Sequence, residues 1–190
     1  MTRATDAPNS STVTGVLLVG GASTRFGSPK ALARLGDETL AERTWRALAW
    51  CDERLAVGKT SDALPLPFPI LDDECETRAP LAGVVAGLRL ACGELCVFLP
   101  VDCPNVTPAL LQTLVGACAE AAVPATGPLP GVYRRSVLPV LESRLAQGQL
   151  ALREALAEVD SRVVDVDPAL LSDVDTQAAL QALTSAAGLR

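Results

Sequence analysis

Gly20-Gly21-Ala22-Ser23-Thr24-Arg25-Phe26-Gly27-Ser28-Pro29-Lys30 gathers residue types suited to binding a polyanion. Two glycines without Cβ atoms let the backbone pass close to a ligand. Successive N–H groups in such a loop form an anion-binding nest. Arg25 and Lys30 add cations that match phosphate oxygens. The segment reads as a polyphosphate-binding loop. A Walker A loop would need Ser or Thr after its lysine, and here Ala31 follows Lys30. Gly20, Gly21 and Gly27 have the wrong intervals for a dinucleotide fingerprint. An ordinary strand-to-helix turn would leave both cations unexplained.

A second candidate stretch is Cys96-Val97-Phe98-Leu99-Pro100-Val101-Asp102-Cys103-Pro104. An apolar run ends in an aspartate on a stiff, proline-bounded turn. A carboxylate at one strand tip, facing a phosphate loop at another, can hold Mg²⁺ against phosphate oxygens. The other reading of Asp102 is a turn residue or helix cap, but Thr107-Pro108 starts the next helix better. Asp72-Asp73-Glu74 closes another short apolar run. Three adjacent carboxylates are usually a solvated loop, yet ligands of open α/β sheets bind beyond the C-terminal strand ends.

The elements that must position these groups alternate along the chain. Val13 to Val19 is a continuous apolar run, as expected of a central buried strand. Further strands are predicted over 54–57, 70–71, 96–101, 122–125 and 162–166. Helices are predicted from Leu40 to Cys51, from Pro80, and over 108–122, 138–146, 149–159 and 177–183. Thr39 or Asp37 is placed to cap the first helix, Ser136 the fourth and Asp175 the last. Gly83 and Gly87 put a smooth face on the helix after Pro80, consistent with close packing on the sheet. This alternation predicts an α/β fold: a three-layer α/β/α sandwich with a mostly parallel central sheet.

Composition limits the function. The 190 residues suffice for one core, so residues 13–190 are expected to form one domain after a flexible tail over 1–12. A hydrophobic fraction of 49% and a net charge of −6 argue against disorder and against nucleic acid as the main partner. The chain has no histidine, which excludes Ser-His-Asp and Cys-His catalysis and leaves oxygen ligands, hence Mg²⁺, for any metal. Its six cysteines form no Cys-x-x-Cys pair. They are expected mostly as small buried hydrophobes in a reducing cytosol, with only Cys103, beside Asp102, a candidate for reactivity. No secretory signal or membrane-spanning run is present, so a cytoplasmic location is expected.

The loop from Gly20 to Lys30 resembles the signature loop of nucleotidyltransferases with a glycosyltransferase-A-like, Rossmann-like fold. Within them it is most similar to the molybdenum-cofactor guanylyltransferases. The resemblance extends to Pro80-Leu81-Ala82-Gly83 and to Asp102 with Pro104, and covers about residues 14–183. It departs at Val19, Pro29, Gly58, Ala151 and Gln177, where Ala, Asp, Asn, Arg and Pro are usual. By resemblance, the backbone of Leu18, Val19, Gly20 and Gly21 cradles the nucleotide. Arg25 and Lys30 stabilise the triphosphate, Asp72 contacts the nucleotide and Asp102 ligates Mg²⁺. The implied reaction moves GMP from GTP to the phosphate of molybdopterin or molybdenum cofactor and releases pyrophosphate. Molybdoenzymes and their chaperones are the implied protein partners. Arg134, Arg135, Arg153, Asp173 and Asp175 are candidates for the acceptor side. The alternatives are transfer from CTP or to another acceptor on the same fold, or a nucleotide-binding module without turnover.

Overall fold

The computed structural model describes residues 12–20 and 26–186. Its strands are β1 (Val13–Leu18), β2 (Arg34–Leu35), β3 (Glu38–Thr39), β4 (Glu53–Gly58), β5 (Leu71–Asp72), β6 (Leu95–Pro100), β7 (Ala121–Pro124), β8 (Gly131–Arg134) and β9 (Ser161–Val164). Its helices are α1 (Leu40–Ala47), α2 (Pro80–Leu90), α3 (Pro108–Ala117), α4 (Leu138–Ala146), α5 (Leu152–Ala155) and α6 (Gln177–Ala186). Among the described residues seven strands form one sheet, in the order β5-β4-β1-β6-β8-β7-β9. β8 runs antiparallel to both its neighbours, and the remaining pairings are parallel. β2 and β3 make a small separate hairpin through Gly36 at φ +67°.

Alternation along the strands builds two cores. Leu17 and Val19 of the β1 segment, with Leu95, Val97 and Leu99 of β6, pack against α1, α3 and α6. Val16 and Leu18, with Cys96 and Phe98, face α2, α4 and α5 on the other side. Central strands buried on both faces read as continuous apolar runs, which is why β1 and β6 were legible. The three layers and mostly parallel sheet match the fold expected from the sequence. Gly87 packs tightly in the second core: a Cβ there would lie 2.5 Å from Phe98 Cε1 and 2.9 Å from Val16 Cγ1.

Local signals set several boundaries. Thr39 caps α1 in a reciprocal box: its hydroxyl accepts from Glu42 N–H, and the Glu42 carboxylate accepts from Thr39 N–H. Thr107 caps α3 through Leu110 N–H. Other boundaries were decided by tertiary pairing. α1 ends at Ala47, before Cys51, and the chain turns to enter β4. α3 stops at Ala117 instead of Ala122, because Ala121 and Ala122 pair with both β8 and β9 and are fully buried. That burial overrides the helix preference of alanine. The helix expected over 149–159 shrinks to α5 and a 3-10 turn, Leu156–Glu158. Ser136 lies inside a 3-10 turn and makes no cap for α4. Thr176, not Asp175, accepts from Ala179 N–H at the start of α6, which leaves the Asp175 carboxylate for another contact.

The expected tail over 1–12 lies outside the described residues apart from Thr12. Burial is less uniform among the cysteines than expected: Cys96 and Cys103 are buried, but Cys92 is exposed and Cys51, Cys75 and Cys118 are half-buried. Among the described residues no helix is long and apolar enough to cross a membrane.

Candidate active site

The tips of β1, β4, β5 and β6 open on one edge of the sheet, beyond their C-terminal ends, where open α/β sheets bind ligands. A cleft of about 480 Å³ lies there. Its floor is the β1 tip, Leu18, Val19 and Gly20, held between neighbours by Val19 N–H to Val57 O (2.9 Å) and Val101 N–H to Leu18 O (3.1 Å).

Lys30 sits at the start of a 3-10 turn, Lys30–Leu32, and reaches into this cleft. Its ammonium donates to Asp102 Oδ2 at 3.0 Å and to Asp175 Oδ1 at 2.5 Å. The Lys30 side chain is 13% exposed. Burial alone would push its pKa down, but the hydrogen bonds and charges of Asp175 and Asp102 outweigh that, and the pKa is raised. The ammonium therefore stays charged at neutral pH. Asp102 follows the end of β6, and its carbonyl accepts from Val174 N–H at 2.8 Å. Arg43 of α1 donates to Pro104 O at 2.9 Å, and Gln177 of α6 donates to Phe26 O. Together these bonds tie the Asp102 turn to α1 and to the segment before α6, which carries Asp175, and tie α6 to the loop before Lys30.

The opposite end of the cleft is also charged. Lys59, just past β4, donates to Asp73 Oδ1 at 2.5 Å, and their side chains are 11% and 10% exposed. Arg78 forms a two-bond pair with Asp62 at the rim. Gly58 lies on the floor between Val19 and Lys59.

The structure thus brings Leu18, Val19, Gly20, Lys30 and Asp102 to one cleft. Gly21 and Arg25 lie outside the described residues. Of the neighbouring carboxylates, Asp73 lines the cleft, whereas Asp72 organises its own loop. Asp72 accepts from Thr60 Oγ1, Thr60 N–H and Glu74 N–H, and these bonds hold its carboxyl down at about 2. The reason is strand geometry. Asp72 is the last residue of β5, paired with Gly58, and the next side chain points to the other face. A step of one residue along a strand is enough to exchange faces.

Arg134 and Arg135 lie toward the opposite end of the sheet from the cleft. Arg134 is paired with Leu95, five residues before the β6 tip, roughly 17 Å away at the usual strand rise. Arg134 donates to Ala119 O there, and Tyr133 is core, its hydroxyl donating to Pro128 O. Arg153 donates to Thr126 O and Asp173 is exposed; neither lines the cleft. Burial pushes the Cys103 thiol far up, with the neighbouring Asp102 charge adding to it, so the thiol form is favoured over the thiolate. Sequence reasoning missed Lys59 and Arg78, whose only signal was a position just after a strand or just before a helix, and it saw Asp73 only as one of three adjacent carboxylates at a strand end.

The available donors suit a hard cation. Asp102 and Asp175 offer carboxylate oxygens to one point, now shared with Lys30. Among the described residues no group of three or more metal-binding side chains exists.

Comparison with known proteins identifies the family and the fold. Residues 15–163 match the family described as MobA-like NTP transferase domain. The chain is 31% identical over 176 residues to the molybdenum cofactor guanylyltransferase of Desulfosudis oleivorans, covering 84% of this chain and 87% of that protein. It is 34% identical over 150 residues to a probable molybdenum cofactor guanylyltransferase of Deinococcus radiodurans, covering 74% and 77%. The fold is that of the molybdopterin-guanine dinucleotide biosynthesis protein A from Archaeoglobus fulgidus, with a TM-score of 0.79, 23% identity and coverage of 92% and 98%. It is also that of the 2-C-methyl-D-erythritol 4-phosphate cytidylyltransferase from Thermus thermophilus, with a TM-score of 0.69, 20% identity and coverage of 91% and 98%. A strand-tip cleft with a glycine floor, a paired lysine and a strand-end aspartate is thus set in a fold shared with these enzymes, and the chain belongs to the MobA-like NTP transferase family.

Proposed function

We propose that this protein transfers GMP from GTP to the phosphate of molybdopterin or molybdenum cofactor, releasing pyrophosphate. The observation that carries the reading is the Lys30 ammonium, held at the β1 tip between Asp102 and Asp175. It is a preformed cation at the place where a triphosphate enters, and it needs no side-chain nucleophile. The relatives' names supply the base and the acceptor.

In this reading an oxygen of the acceptor phosphate attacks the α-phosphorus of GTP. The bond from the α-phosphorus to the bridging oxygen breaks, and pyrophosphate leaves with that electron pair. Both reactants are anions, so alignment and charge neutralisation dominate the rate. The Val19–Gly20 backbone lies against the phosphates. Lys30 exchanges its carboxylate partners for phosphate oxygens. Asp102 would hold Mg²⁺, with Asp175 beside it, once Lys30 has moved to the phosphates. When bound, the metal neutralises phosphate charge and polarises the α-phosphorus. Arg25 is proposed to stabilise the departing pyrophosphate. Asp73, not Asp72, is the carboxylate that meets the nucleotide.

The setting is proposed to be cytoplasmic, with molybdoenzymes and their chaperones receiving the product. Calorimetric titration with GTP, CTP, ATP and UTP in Mg²⁺ tests the reading, followed by turnover with molybdopterin. Preferential GTP binding and pyrophosphate release are expected. Preference for CTP would keep the chemistry and change the product. Binding of no triphosphate would sink the proposal.

A further inference from the structure

Position along the sheet orders the cleft. Asp102 lies at the β6 tip, Gly20 at β1, Gly58 and Lys59 at β4, and Asp73 at β5. Three strand spacings, about 14 Å, separate the β6 and β5 tips. A triphosphate seated on Lys30 beside Asp102 therefore carries its base toward β4 and β5.

The floor at that end is tightly packed at Gly58. A Cβ at Gly58 would lie 2.8 Å from Val19 Cγ2 and 3.2 Å from Gly20 N. Arg78 at the rim is held by Asp62 through both terminal guanidinium nitrogens, at 2.9 and 2.6 Å. The same end of the cleft carries the Lys59–Asp73 pair. Asp73 Oδ1 is anchored twice, by Lys59 at 2.5 Å and by Cys75 N–H at 3.0 Å. Both residues line the cleft and are almost wholly buried, so water competes weakly for their bonds.

An ammonium has three donors, and only one is needed for Asp73. Beside it stands a carboxylate, which only accepts. Guanine presents O6, an acceptor, next to the N1–H and N2–H donors. Adenine puts an amino donor where guanine has O6, so it would set donor against donor. Cytosine has one amino group and cannot offer a carboxylate two parallel N–H donors.

We infer that Lys59 is a specificity-determining residue that donates to guanine O6, with Asp73 fixing its ammonium and accepting from the N1–H and N2–H edge. The inference rests on the nucleotidyl-transfer reading above and names the part of the site that selects its nucleotide.

The test is Lys59→Met, which keeps an apolar stem of similar length and removes the donor. Binding of GTP, ATP and CTP is titrated in Mg²⁺ against the wild type. GTP affinity should fall roughly ten- to hundredfold, the worth of one good base contact, while ATP affinity stays level. Lys59→Arg should keep the preference. Because Lys59→Met leaves a buried carboxylate alone, the double variant Lys59→Met/Asp73→Asn repeats the test without the stranded charge. A folded variant that retains the wild-type GTP-to-ATP ratio overturns the inference and leaves nucleotidyl transfer standing. Equal loss of all three nucleotides also overturns it, since that marks a structural role. Wild-type protein that binds no triphosphate overturns the transfer reading itself.

Discussion

Lys30 and Asp175 stand 145 positions apart in the chain, and the Lys30 ammonium donates to the Asp175 carboxylate at 2.5 Å. Asp102 takes a second bond from the same ammonium at 3.0 Å. One cation shared by two carboxylates is a charge held in place before the substrate arrives. It is also a charge that must change partners when phosphate enters.

Asp175→Ala should therefore weaken catalysis without unfolding the protein. Lys30 keeps Asp102 but loses one anchor, and kcat/KM is expected to fall roughly ten- to a hundredfold through lost alignment. Removing an anion disfavours the protonated lysine, so its raised pKa falls. The alkaline limb of the pH–rate profile should then move to lower pH. An unmoved limb would show that Asp175 does not act through Lys30.

Asp102→Asn keeps the side-chain shape and removes the charge. Metal-dependent GTP binding should weaken and turnover should fall by at least about a hundredfold, the scale for losing one electrostatic partner of the transition state. Chelation of Mg²⁺ should abolish turnover of the wild type and change the variant little further. Titration of GTP with and without EDTA checks both.

Two glycine substitutions should separate stability from binding. A Cβ at Gly87 meets Phe98 Cε1 at 2.5 Å, and overpacking of this kind costs about 1–3 kcal/mol. Gly87→Ala should lower Tm by several degrees and leave activity per folded molecule unchanged. Gly58→Ala instead presses on Val19 and Gly20, which floor the cleft. Its main effect should be on triphosphate affinity, read by calorimetry beside a thermal melt.

Asp72 predicts an acid signature. Its carboxyl is held at about 2, against an ordinary 3.8, mainly by the Thr60 hydroxyl and backbone N–H. A depressed folded pKa contributes stability that is present above 3.8 and lost as pH falls through about 2. Asp72→Asn should lower stability at neutral pH and flatten its decline across that window. Urea denaturation as a function of pH measures it. Cleft binding of GTP should be little affected, because Asp73 and not Asp72 lines the cleft.

Those parts of the protein whose signals are local were legible in the chain alone. The apolar runs ending at Val19 and Val101 marked the two central strands, because strands buried on both faces have no polar positions. The glycine pair, Lys30, Asp102 and Pro80-Leu81-Ala82-Gly83 stood out by type and spacing. Where packing outweighed local preference, the outcome came from contacts between distant segments. Ala121 and Ala122 became strand because two neighbours pair with them. Asp73 entered the cleft in place of Asp72 because adjacent strand residues face opposite ways. Asp175 read equally as a helix cap or a site residue; Thr176 took the capping role, and the fold carried the Asp175 carboxylate to Lys30. Lys59 found Asp73 in the same way, across a strand pairing that joins β4 to β5. Residue types state what chemistry is available, but contacts between distant segments depend on how the layers close, and no short stretch of sequence carries that information.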